Sequence, residues 1–414
     1  MTHLPAAASE VALMLTVIIA ISVLTARLRI PYTVGLVVAG FIIGILPHPA
    51  NIELTPSLVL FLFLPPLLFD GGWSTDTRQL ARNWVPITLL ATAGVVIGIG
   101  LSYVCLVFGA HLSVQTAVIF GAIVAATDPI AVLSLFKALR INPSLLAIVE
   151  GESLFNDGTS VVAFTALLAV FSLGGGLQLG ATLSDFALMT VGGVAVGVAI
   201  GYLARLIIRL IADQTMVVAF VTAAVAYGAY FIADDLGVSG IMAVIFAAIV
   251  IAASSSLSKT AVEERATLSG FWSVIAFLAN SALFLLVGAS IHIRDIVGEW
   301  PDAMWGIIAI VIGRPLMVRL LAPVSALLGR PLPTTWQNAI TLAGMRGALS
   351  MALVLSLPDD FQNKSLLVSM VFSVVLFTIV VQGSLLEPIL RAMGLTNGGP
   401  AARPQETGTA DVTP

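Results

Sequence analysis

Charge is the scarcest property of this sequence. Only 10% of its 414 residues are Asp, Glu, Lys or Arg, against roughly 25% in a soluble domain. Hydrophobic residues make up 59%. Too few charged groups remain to coat a water-facing surface of this size, which excludes a soluble enzyme. Cysteine is nearly absent: Cys105 stands alone in an apolar run, so there is no disulfide framework. An excess of basic residues is missing as well. The net charge of -4 leaves no footprint for nucleic acid. The polar stretches between apolar runs are too short to hold a soluble catalytic or nucleotide-binding domain. What these absences leave is an all-α polytopic membrane protein.

What the sequence does have is hydrophobic length. At about 20 apolar residues per crossing, thirteen transmembrane helices are predicted. They lie near 9–27, 31–46, 55–73, 84–108, 114–136, 143–171, 181–204, 215–233, 238–253, 266–290, 303–328, 334–357 and 364–391. No basic segment precedes the first run and Arg27 and Arg29 follow it, so it reads as a retained span rather than a signal peptide. With the N-terminus outside, fourteen of the eighteen basic residues fall on the cytoplasmic side, from Arg27 to Arg403 and including Arg319 within helix 11. Only Arg294 and Lys364 fall outside, and Arg314 and Arg346 fall within spans. The tail 392–414 is rich in Gly, Pro and Thr and is expected to be disordered in the cytoplasm.

Four acids are also placed deep: Asp128, Glu152 and Asp157, with Asp70 near a span end. An ionisable group at the bilayer centre costs at least ~2.5–3.5 kcal/mol on insertion scales, so its default reading is functional. An ion pair that merely ties helices together fits any one of these six residues better than all six. In helix 5, Pro129 removes a backbone donor and disfavours helical geometry at Asp128. Thr127, Asp128 and Pro129 therefore offer a hydroxyl, loose carbonyls and a carboxylate at one depth, hard oxygen ligands suited to a small cation.

In helix 6, Asp157 lies roughly 21 Å from Pro143 along a ~30 Å core. Glu150, Ser153 and Asp157 follow i, i+3, i+7 spacing on one face, with Asn156 beside it. That face can run from Glu150 at a cytoplasmic mouth to Asp157 at its bottom. Glu152 points away and needs a basic partner, which only Arg314 or Arg346 can supply. Gly313 and Pro315 are expected to loosen helix 11 around Arg314, and Gly344 and Gly347 to weaken helix 12 around Arg346. Helices 1–6 and 8–13 run in opposite senses, so broken helix 5 corresponds to weakened helix 12. Such paired interruptions in two inverted six-helix repeats point to a midplane substrate site.

Five segments then carry a resemblance: FLFLPPLLFD (61–70), ATDPIAVLSLF (126–136), VEGESLFNDGTSVV (149–162), ADDLGVSGIMA (233–243) and LAGMRGALS (342–350). Over about residues 10–390 the chain resembles the monovalent cation:proton antiporters, in their sodium/proton exchanger (NhaP-like) branch. The resemblance implies the sodium/proton antiporter fold and a homodimer. A dimerisation part would comprise helices 1–3 and 7–10, and a mobile core about 84–171 and 303–391, with helices 5 and 12 crossing. It makes Asp157 the carboxylate that binds cation or proton, with Ser153 and the Thr127 backbone as co-ligands and Asn156 among the binding residues. Asp128 would act directly or through water, and Asp70 through water. Glu152 would pair with Arg314, and Arg346 would compensate the broken helix 12.

Electrogenic relatives carry two aspartates in helix 6 and a lysine where Arg314 stands. Here Asn156-Asp157 faces an arginine, which does not deprotonate. One titrating carboxylate predicts electroneutral exchange of one cation for one proton. The expected protein is thus a plasma-membrane antiporter (inner membrane in a bacterium) for Na+ and Li+. It is not an enzyme and needs no cofactor. A potassium/proton antiporter of the same family, or a sodium-coupled solute symporter of the same architecture, are the alternatives. An intramembrane aspartyl protease is disfavoured by the missing Gly-x-Gly-Asp segment, and a channel by the missing repeated pore motif.

Overall fold

The computed structural model describes residues 6–28, 32–45, 59–172, 179–211, 214–254, 260–289, 298–358 and 360–395, and these residues contain no strand. Arg29, Lys259, Arg294, Arg403 and the tail from 396 lie outside the described residues. Residues 392–395 belong to the end of the last helix and the turn after it.

Each apolar run of the sequence has a helical counterpart. The first three are α1 (Ala6–Leu28), α2 (Tyr32–Ile45) and a π turn (Val59–Phe63) leading into α3 (Leu64–Ser74). A short amphipathic helix, α4 (Thr77–Arg82), follows and is capped by Asp76, whose carboxylate accepts from Arg78 N and Gln79 N. The run 84–108 is one span kinked at Thr92 into α5 (Trp84–Ala91) and α6 (Ala93–Phe108). Next come α7 (Val114–Ala125), α8 (Ile130–Ala138), α9 (Pro143–Ser172), α10 (Leu179–Leu210), α11 (Thr215–Asp235), α12 (Gly240–Ser254) and α13 (Thr260–Ala289). The chain continues through α14 (Trp300–Leu327), α15 (Thr334–Ala343), α16 (Ala348–Leu355) and α17 (Lys364–Phe377). A second π turn (Thr378–Gln382) then leads to α18 (Gly383–Ala392).

Among the described residues, seven helices are long and apolar enough to cross a membrane, and α15 with α16 makes an eighth as a pair bent by 49°. Shorter apolar helical stretches lie at Ala12–Arg27 in α1, Tyr32–Gly44 in α2, Val114–Ala125 in α7 and Gly240–Ala253 in α12. Gly313 and Pro315, expected to loosen the span around Arg314, leave α14 helical through both Pro315 and Pro323. A proline costs an interior helix one hydrogen bond, and neighbouring helices in a bundle can absorb that loss.

Two packing groups are evident. Helices α2 and α3 pack on α12 and α13, and α10 packs on α11 and α12. Separately, α5, α6 and α7 pack with α9 and α14, and α14 with α17. The long α9 belongs to the second group but also touches α10, α12 and α3 along its length. Close approach in the first group depends on glycine: a Cβ on Gly40 of α2 would collide with the Leu285 carbonyl of α13. This small-residue contact is how helices associate without a hydrophobic driving force between them.

Candidate functional site: two broken helices that cross

The two interrupted spans break over stretches of the same length. Residues 126–129 (Ala-Thr-Asp-Pro) separate α7 from α8, and 344–347 (Gly-Met-Arg-Gly) separate α15 from α16. The breaks meet. Asp128 N donates to the Met345 carbonyl at 2.8 Å, so each break satisfies part of the other. Contact is close at Gly347, the residue preceding α16, where an added Cβ would run into the Asp128 side chain.

Four helix ends converge here, and their charges are matched. The N-terminal ends of α8 and α16 face Asp128: its Oδ1 accepts from Ile130 N at 3.0 Å, and its side chain lies against Gly347. The C-terminal ends of α7 and α15 face Arg346, buried to 4% exposure. Its Nε donates to the Val124 carbonyl at 2.8 Å and its Nη1 to the Gly344 carbonyl. A carboxylate at positive helix ends and a guanidinium at negative ones is the arrangement the helix dipole favours.

The orphan carbonyls that end α15 can be followed one by one. Ile340 O accepts from Arg314 Nη2 at 3.1 Å and Leu342 O from Gln382 Nε2 at 2.7 Å. Thr341 O and Ala343 O accept from Gly344 N and Met345 N. The Arg346 amide itself donates to Thr378 Oγ1 at 3.1 Å. Thr378 and Gln382 are the two ends of the second π turn, which thus serves the break in the preceding span. Sequence reasoning missed both. Their only signal is that they are polar residues inside the apolar run 364–391.

α9 supplies the rest. Glu152, 1% exposed, meets Arg314 in a two-pronged ion pair, Nη1 to Oε1 at 2.6 Å and Nη2 to Oε2 at 2.7 Å. On the neighbouring face, Thr127 Oγ1 and Ser153 Oγ are 2.9 Å apart. Asn156 joins the two groups: its Nδ2 donates to Thr127 Oγ1 at 2.8 Å and to Glu152 Oε1 at 3.3 Å, and its Oδ1 accepts from Thr127 N at 3.3 Å. Because the Thr127 hydroxyl accepts from Asn156, its own proton is free for Ser153, and Ser153 retains a lone pair. Asn156 therefore holds the unwound stretch in place, with both ends of its amide occupied.

Asp157 differs from all of these. It faces the charges of Asp128 and Glu152, with the Thr127 amide beside it, yet its Oδ1 is buried without a hydrogen-bond partner. Asp70 and Glu150 form a separate group nearer the end of α3. Ser74 and Ser273 flank Asp70, Thr75 and Asp76 flank Glu150, and Lys137 at the end of α8 is within electrostatic reach of both acids. No hydrogen bond among the described residues links Asp70 to the Thr127–Asp157 group. Beside the ion pair, α5, α6, α7, α9 and α14 line a partly open cavity of about 30 Å³, with Glu152, Asn156, Arg314 and Arg346 among its lining residues. It has room for about two waters. Neither Ser153 nor Asp157 lines it, so α9 separates it from the face that carries the free carboxylate.

Residues 12–392 match the family model described as "Sodium/hydrogen exchanger, transmembrane". The chain is 37% identical over 378 residues to the Na(+)/H(+) antiporter ApNhaP of Aphanothece halophytica, covering 89% of this chain and 70% of that one. It is 32% identical over 398 residues to the Na(+)/H(+) antiporter NhaH of Halobacillus aidingensis, covering 93% and 98%. In fold it is similar to the sodium proton antiporter MjNhaP1 of Methanocaldococcus jannaschii at pH 8. That match has a TM-score of 0.77 and 22% identity, covering 94% of this chain and 99% of that one. The inverted, crossed-helix architecture expected from the sequence is therefore the antiporter fold, and this chain belongs to the sodium/hydrogen exchanger family.

Proposed function

We infer that this protein is a secondary antiporter that exchanges sodium ions for protons across a membrane by alternating access. The observation that carries the reading is the Asp157 carboxylate. Its Oδ1 is buried without a hydrogen-bond partner, beside Thr127, Ser153 and Asn156, which are bonded to one another. A cation takes that oxygen together with Ser153 Oγ, oxygens of the unwound stretch at Thr127 and, directly or through water, Asp128. Cation and proton exclude each other because either one neutralises the same carboxylate. A neutralised site crosses a low-dielectric barrier cheaply, whereas an empty, ionised one does not. Exchange is thus obligatory from electrostatics alone, and the protein is a carrier rather than an enzyme.

The finer features belong to the same reading. Transport is electroneutral, one cation for one proton, because Asp157 is the only titrating member of the Asn156-Asp157 pair and Arg314 keeps its charge. Lithium, with the same preference for oxygen ligands, is also carried. The membrane is the plasma membrane, crossed thirteen times with the N-terminus outside. Asp70 and Glu150 line the cytoplasmic mouth. The second packing group moves against the first, which forms a homodimer. The long uncovered faces of α1 and α10, with Leu13, Ile19, Leu188, Val191 and Leu206 exposed, suit lipid and a second copy.

Everted membrane vesicles with a pH-reporting dye test this. Sodium chloride added to wild-type vesicles is expected to release the imposed pH gradient, and Asp157→Asn and Asp157→Ala to abolish that release while the protein stays folded. Persistent exchange in either variant would remove Asp157 from its role. A response to potassium but not to sodium would favour the potassium/proton alternative.

A further inference from the structure

Two more buried oxygens stand idle beside the crossing. Hydroxyls in membrane helices ordinarily donate back to the carbonyl three or four residues earlier. Thr159 does so to Phe155 O and Asn156 O, and also reaches Ala91 O at the Thr92 kink; Thr165 does so to Val161 O and Val162 O. Ser160 lies between them on α9 and does not. It is 0% exposed and its Oγ has no hydrogen-bond partner. Ser350, in the first turn of α16, is in the same condition. A buried polar group left unpaired costs about 1–3 kcal/mol, so two of them next to an ion site call for a ligand that visits.

Their positions say which one. Ser160 follows Asp157 by three residues and Ser153 by seven, which puts all three on one face of the unbroken helix α9. Along that face the free Asp157 oxygen is flanked by a hydroxyl on either side. On the Pro143 side Ser153 is engaged with Thr127, and on the Ser172 side Ser160 is not engaged. α16 packs on both α9 and α7, and its first turn follows directly from Gly347, which abuts Asp128. Read with an N-terminus outside, the Ser172 end of α9 and the Leu355 end of α16 both point outward, so Ser160 and Ser350 lie on the outward half of the path.

We propose that Ser160, with Ser350, supplies the oxygen ligands of the transported cation when the site is open to the outside, replacing Ser153 and Thr127, which serve it from the inside. The ion then passes Asp157 by exchanging one hydroxyl flank for the other, and no oxygen shell is lost in one step. This inference rests on the antiporter reading, and the two are separable. Wild-type exchange and its loss in Asp157→Asn test the reading, while a sided affinity change tests the ligands.

The experiment measures the sodium dependence of exchange in everted and in right-side-out vesicles carrying Ser160→Ala, Ser350→Ala or both. Alanine deletes only an unpaired hydroxyl, so melting temperature is expected to hold or rise. The apparent KM for sodium at the outward face is expected to rise about tenfold for the pair, with the cytoplasmic-face KM within about twofold of wild type. Ser160→Thr, which restores the hydroxyl, is expected to recover most of the outward affinity. An unchanged outward KM, or an equal rise at both faces, would overturn the proposal, as would a fall in melting temperature with no sided effect.

Discussion

Glu152 and Asp157 are carboxylates on a single helix, the first buried and the second half-buried, and they meet opposite conditions. Glu152 is gripped by Arg314 through two short hydrogen bonds, whereas one Asp157 oxygen has no partner. The first ties two helices together, and the second is the group we propose binds the cation and the proton. Removing one partner of a buried pair leaves the other charge uncompensated, at about 3–5 kcal/mol. Glu152→Gln should therefore lower the melting temperature strongly, and adding Arg314→Gln to it should recover part of the loss. A double variant no more stable than the single one would mean that the pair does not carry the cost. If proton and cation compete for Asp157 as proposed, the apparent KM for sodium should rise as pH falls, approaching about tenfold per pH unit on the acid side. A pH-independent KM would exclude simple competition. The acids and arginines were legible in the sequence because a charge inside an apolar run stands out from everything around it. The fate of Asn156 was not: an amide adjacent to the key aspartate reads as a ligand, and only the fold shows both of its ends taken.

The two breaks were legible to different degrees. Pro129 announces the first, since it withdraws a donor and constrains the residue before it. The second contains no proline, only Gly344 and Gly347, and the same kind of signal at Gly313 and Pro315 left α14 unbroken. What separates the cases is repair. The end of α15 finds donors in Arg314 and Gln382, side chains remote in sequence that no local pattern announces, and in the adjacent Arg346. The π turns were illegible too, because one extra residue in a uniformly apolar run leaves no mark on its periodicity. Gly347 offers a test of the crossing itself. A methyl group there would press on Asp128, and overpacking of that kind costs about 1–3 kcal/mol. Gly347→Ala should reduce exchange at least tenfold while an alanine at Gly98, which has open space around it, should change little. Equal effects at the two positions would refute a special role for the contact.

For the molecule as a whole, the scarcity of charge turned out to be its most readable feature, because each crossing had to be apolar and every exception had to have a purpose. The order of the helices followed from counting runs. The packing of α9 against both groups of helices did not, since it depends on which faces of many long apolar helices meet. If the carrier exchanges one cation for one proton, a sodium jump on a solid-supported membrane should give no steady transport current although dye-reported proton movement continues. A sodium-dependent current would show net charge moving and sink the electroneutral cycle. The hydrogen bond from Asp128 N to Met345 O also has a kinetic consequence. An amide outside any helix ordinarily trades its hydrogen with solvent quickly. This one is closed by a carbonyl more than half the chain away, so its hydrogen leaves only when the two crossed breaks come apart. A slow, unchanging exchange rate at Asp128 during sodium turnover would mean that the crossing travels as one piece, and that the motion of transport is confined to its surroundings.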